Sequence, residues 1–180
     1  MTISYFEESP PSPWSGEPAP PRPEEQRPVH EPVFNAPWQA VAVVVLIVGG
    51  YAVQTLFPAD TIVEAYAFSP INLTAQRWPT LITANFLHGS WAHALMNGAF
   101  ALAFSAPLAR LFGPKLLGGL LFFGFYILTG VLGYLLYGLI HWGANTLVVG
   151  ASVAVSGLMG GAARLIGGHG RPGPLFSRAV

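Results

Sequence analysis

The sequence predicts an all-α membrane protein: four transmembrane helices in a bundle, preceded by a disordered N-terminal tail. Three observations predict it. Charged residues make up only 9% of the 180 residues, against about a quarter in soluble domains. Four apolar runs, each close to the length that spans a hydrocarbon layer, are separated by short polar breaks. The basic residues between the runs fall on alternating sides, as the positive-inside bias requires.

The tail covers residues 1–36. With Pro37 counted, it holds ten of the seventeen prolines, and it holds six of the eight acids, Glu7, Glu8, Glu17, Glu24, Glu25 and Glu31. Such a segment buries too little apolar surface to offset its ordering entropy, so disorder is expected. It has neither the basic start nor the early apolar core of a secretory signal.

The membrane domain is expected over residues 37–170, with spans at about 38–57, 91–112, 116–140 and 149–167, and residues 171–180 follow as a cytoplasmic end. Backbone polar groups in lipid must be paired within the segment, which makes these runs helices. Arg110 and Lys115 lie between the second and third spans, and Arg164, Arg171 and Arg178 lie at and beyond the fourth. Arg22 and Arg27 precede the first. This distribution places both termini in the cytoplasm.

The stretch "HGSWAHALMN", residues 88–97, puts three hydrogen-bonding side chains where a lipid-facing helix would carry Leu or Val. His93 and Asn97 are four apart and share one helix face, whereas His88 is turned off that face and belongs at the helix entrance. The fourth span opens with "VVGASVAVSGLMGG", residues 148–161. Ser152 falls in its first turn, where helix N–H groups are unpaired. Polar residues at this depth are costly to bury and tend to be functional. They also serve as interhelical hydrogen bonds, and Ser/Gly at four-residue spacing lets helices pack closely. A serine hydroxyl at a helix start, facing imidazole and amide groups, has the composition of a nucleophile beside an oxyanion-stabilising group.

Together, "FLHGSWAHALMNGAF" and "VGASVAVSGLMGG" resemble the motifs of the rhomboid intramembrane serine proteases. The His-x4-His-x3-Asn of their second span is matched by His88, His93 and Asn97, and the Gly-x-Ser of their fourth by Gly150, Ala151 and Ser152. The Arg77–Trp78 region and "WPTLITANFLHG" are similar to the family's first loop. The resemblance implies hydrolysis of peptide bonds in or near transmembrane segments of other proteins. Ser152 would attack the carbonyl, His93, Asn97 and the Ser152 N–H would hold the oxyanion, and His88 and Gly150 would shape the site. A bacterial inner membrane is the implied location.

Two departures stand against the family pattern. Val153 occupies the position where the family has Gly after the nucleophile; reading Ser156 as the nucleophile restores that Gly, as Gly157, but puts Ala154 where Gly is expected. The family's catalytic base, a His, is carried on a sixth span, and this chain has four apolar runs before Val180. The resemblance therefore implies a C-terminally truncated member without an evident general base. Of the other histidines, His169 lies about 25 Å from Ser152 along a helix, His30 is in the tail, and His141 is on the correct side with nothing in the sequence to orient it.

Other chemistries are disfavoured. There is no cysteine, no His-Glu-x-x-His, and no Asp or Glu after Glu64, which argues against metal and aspartyl proteolysis and against an acid-based proton relay. No cofactor and no metal are expected, and the zero net charge gives no sign of a nucleic-acid partner. The expected partners are the lipid bilayer and transmembrane proteins, as substrates or, in the alternative reading, as clients of a non-catalytic rhomboid-like protein.

Overall fold

The computed structural model describes residues 36–167; the expected tail and cytoplasmic end lie outside the described residues. The elements are helical, and among the described residues the only β-pairing is an isolated bridge between Phe68 and Val148. Helix α1 is Trp38–Gln54 with a π-helical stretch at Val45–Gly49. A short helix α2, Ala59–Tyr66, is followed by a 3₁₀ turn at Pro70–Leu73 and a one-turn helix α3, Thr80–Thr83. Three longer helices complete the bundle: α4 (Trp91–Phe112), α5 (Leu116–Ile140) and α6 (Ser152–Gly167).

Helices α4 and α5 are long and apolar enough to cross a membrane. The other two apolar runs form shorter helices. The first, expected to reach residue 57, leaves the helix at Gln54, where Leu56 and Phe57 bond back three residues rather than four and Pro58 follows. The fourth was expected from residue 149, but its helix begins at Ser152. Residues 144–151 are not helical because their backbone is bonded to the loop between α1 and α4. Ala144 O accepts from Ile71 N, Phe68 and Val148 exchange a pair of bonds, and Gly150 N donates to Ala84 O.

Helix α4 has an identifiable start and stop. Ser90 caps α4, its hydroxyl accepting from His93 N at 3.2 Å, which satisfies one of the free first-turn donors. Gly113, at φ +89°, ends that helix, a backbone region that suits glycine. The Gln39 amide donates to Gly113 O at 2.7 Å and the Trp38 indole to Pro114 O at 3.0 Å. The start of α1 is thereby tied to the turn between α4 and α5.

The bundle is close-packed through glycines. The side chain of Val153 on α6 fills the space a methyl would need on Gly133 of α5, and Thr129 of α5 does the same over Gly157 of α6. One turn further, Leu108 and Phe125 lie against Gly161. The helices run antiparallel, so each bulky residue faces a bare α-carbon on its neighbour, a packing mode that membrane helices favour. This geometry resolves the Val153 departure: the β-branched side chain at that position is received by Gly133.

Gly133→Ala is accordingly expected to destabilise the bundle by about 1–3 kcal/mol through overpacking. Adding Val153→Ala should recover most of that loss. Thermal unfolding of the four members of this double-mutant cycle in detergent checks it, and strictly additive effects would contradict the contact.

Candidate functional site

The site is assembled where the α6 N-terminus meets the α4 N-terminal half. Segment 148–151 is placed by hydrogen bonds rather than by helix propensity. Gly150 N donates to Ala84 O at 2.9 Å, and the Tyr134 hydroxyl of α5 donates to Gly150 O at 2.7 Å. Gly150 sits at φ +128°, a conformation open to glycine and strained for L side chains. A methyl on its α-carbon would lie 2.7 Å from His93 Cε1, 2.8 Å from His93 Nε2 and 3.8 Å from Asn97 Nδ2. The backbone before Ser152 therefore rests directly on the imidazole–amide face of α4.

Ser152 is the first residue of α6 and is exposed. Its hydroxyl makes no hydrogen bond to the described residues. The Ser156 hydroxyl, in contrast, donates to Ser152 O at 2.8 Å. Of the two candidate serines, Ser152 is the one whose oxygen is unengaged. Both line an open cleft of about 250 Å³ with Asn97, Phe100, Val155 and Met159. Asn97 is buried, and its Nδ2 has no hydrogen-bond partner among the described residues. An unpaired buried donor costs about 1–3 kcal/mol.

His88 is locked. It is fully buried, and Gln54 at the end of α1 grips its backbone twice, donating from Nε2 to His88 O at 2.9 Å and accepting from His88 N at 3.0 Å. The ring lies edge-on to Tyr51 and to His93, with centroids 6.2 and 5.1 Å away. Its Nε2 accepts a long bond from Ala151 N at 3.5 Å. This makes Nδ1 the protonated nitrogen, buried on the side of the Phe86 backbone. His93 is half-buried, and its ring makes no hydrogen bond to the described residues.

His141 stands at the C-terminal end of α5. It caps α5, its Nδ1 within 3.0 Å of Tyr137 O and its ring stacked on Tyr137 at 4.2 Å. Arg77 closes α2, donating to Glu64 O at 3.1 Å and Ala65 O at 2.6 Å, and so braces the loop that carries Phe68 and Ala84.

The structure thus brings Ser152 and Asn97 to one cleft and places His93 and His88 beside the backbone leading to the serine. Three supporting residues carry no motif. Gln54 ends an apolar run, Tyr134 lies in a Leu/Gly-rich helix, and Ala84 contributes only its carbonyl. A mid-span tyrosine, whose hydroxyl needs a partner when buried, was the available signal for Tyr134.

A family model described as Rhomboid domain matches residues 75–168, just over half of the chain. No curated protein and no solved structure matches the sequence.

Burial, followed by the neighbouring His93, lowers the His88 pKa from 6.5 to about 4. The unfolded imidazole takes up a proton below about 6.5, while the folded one resists it until about 4. Stability should therefore fall as pH drops through that window. Thermal unfolding of the wild type and His88→Phe between pH 7 and 4 checks this: the variant should lose less stability on acidification, and parallel pH profiles would refute it.

Proposed function

The chain belongs to the rhomboid family, and on that premise we propose that it is a rhomboid-type intramembrane serine endopeptidase. Family membership and the apolar helices support an integral membrane protein whose substrates are other membrane proteins. In this reading all four apolar helices are spans, both termini are cytoplasmic and the membrane is a bacterial inner one. The packing of α6 against both α4 and α5 supports counting it with the spans despite its length.

Ser152 is the nucleophile. It attacks the scissile carbonyl, the carbonyl π pair moves onto oxygen, and that oxyanion is held by the Asn97 amide, His93 and the Ser152 N–H. Gly150 lets the serine-bearing backbone approach the α4 face, and His88 holds that backbone through Ala151 N. One observation carries the reading: a free Ser152 hydroxyl and a buried, unpartnered Asn97 Nδ2 belong to one cleft. Preorganised donors at such a site are a large part of acyl-transfer catalysis.

A fluorophosphonate probe tests it on the purified full chain. Wild type should be labelled, Ser152→Ala should not, and Asn97→Ala should react about 10²-fold more slowly or worse. Labelling that survives Ser152→Ala but disappears in Ser156→Ala would move the nucleophile by one turn. An unlabelled wild type that co-purifies with transmembrane clients would support a non-catalytic binding protein instead.

A further inference from the structure

We propose that Tyr134 is a positioning residue of the reaction: its hydroxyl, by holding the Gly150 carbonyl, fixes the backbone that aims the Ser152 N–H at the oxyanion. The inference rests on the reading of Ser152 as nucleophile. Tyr134 lies in the C-terminal half of α5 and is 1% exposed. Its hydroxyl donates to Gly150 O at 2.7 Å, with Ala84 O at 3.4 Å. The cleft itself is lined by α4 and α6, so this hydroxyl acts on the site from behind, through the backbone.

The stripe of α5 that carries the tyrosine lets it reach. Gly130 and Gly138 stand one turn to either side, and both are buried. The Asn85 side chain occupies the space a methyl on Gly130 would need. On Gly138 such a methyl would lie 2.8 Å from Leu73 and 2.9 Å from Phe68. The loop between α1 and α4 therefore closes onto bare helix on both sides of Tyr134. The Phe68 ring, its centroid 5.4 Å away, packs against the tyrosine ring, and the hydroxyl extends past this core to residue 150.

Peptide geometry carries the effect forward. The C=O and N–H of a planar trans peptide point in opposite directions, so a partner on one aims the other. Tyr134 on Gly150 O therefore turns Ala151 N–H away from α5, and His88 Nε2 accepts it there at 3.5 Å. The next peptide is held by Ala151 O, which accepts from Val155 N at 2.8 Å. Its other end, the Ser152 N–H, then points out of the α6 N-terminus. Residue 150 does not set this plane by itself, because glycine at φ +128° has no side chain to restrict rotation. Without the hydroxyl, the long bond from Ala151 N to His88 would be the remaining hold on the Gly150–Ala151 peptide among the described residues.

The test is fluorophosphonate labelling of the full chain in detergent, with kinact and KI measured separately. Ser152 Oγ bonds to phosphorus, fluoride leaves and the hydroxyl proton is released to solvent, while the P=O oxygen takes the oxyanion position. Tyr134→Phe keeps the ring and removes only the hydroxyl. It should lower kinact by about tenfold or more with KI within about twofold of wild type, as expected when alignment in the transition state is lost. p-Aminophenylalanine at position 134 returns a hydrogen-bond donor and should restore most of the rate. Gly119→Ala, which crowds Trp38 near the start of α5, is the stability control: it should lower the thermal midpoint and label at the wild-type rate. Amide hydrogen exchange over residues 148–153 should rise in Tyr134→Phe and stay unchanged in Gly119→Ala. Tyr134→Phe labelling within about twofold of wild type, or Gly119→Ala slowing as much as Tyr134→Phe, would overturn the inference while leaving Ser152 in place. A wild type with no adduct at Ser152 would instead overturn the protease reading, and this one with it.

Discussion

The architecture of the site turns on one close approach, the bare α-carbon of Gly150 against the His93 ring. Nothing larger than hydrogen fits between them, and the backbone angle there, φ +128°, is one that glycine adopts without penalty. Because the chain can pass this close, the first residue of α6 arrives beside the imidazole–amide face of α4. A side chain at position 150 would push the two helices apart at the point where their polar groups meet.

That approach is held from three directions. The loop between α1 and α4 pairs with residues 144–150 through Ile71, Phe68 and Ala84. Tyr134 reaches from α5 to the Gly150 carbonyl, and Gln54 fixes the His88 backbone from the end of α1. Buried backbone groups must find partners, so the non-helical stretch before α6 is tolerated because this loop supplies them. Phe68, Leu73, Leu81, Ala84 and Tyr134 form a small apolar core beneath it. The loop is therefore a structural part of the site, although it contributes no reactive group.

Packing and chemistry are linked through α6. Its N-terminus carries Ser152, and its next turns interlock with α5 at Val153–Gly133 and Thr129–Gly157. The residue after the serine is thus a knob set into the neighbouring helix. In a bilayer, where apolar burial between helices has little driving force, such interlocking and the few polar bonds determine where helices sit. The serine's position is consequently set by how closely α5 and α6 approach.

Hydropathy in the amino-acid chain was enough to place the two long apolar helices α4 and α5, because lipid demands helices and helix length follows from bilayer thickness. The four-residue spacing of His93 and Asn97 likewise put them on one face, a consequence of helical periodicity alone. The start of α6 at Ser152 rather than Val149 was not legible. It depends on pairing between residues far apart in the sequence, Phe68 with Val148 and Ala84 with Gly150. The roles of Gln54 and Tyr134 and the accommodation of Val153 by Gly133 were hidden for the same reason. A local pattern carries the tendencies of one segment, and only the folded chain determines which bare α-carbon, carbonyl or hydroxyl that segment will meet.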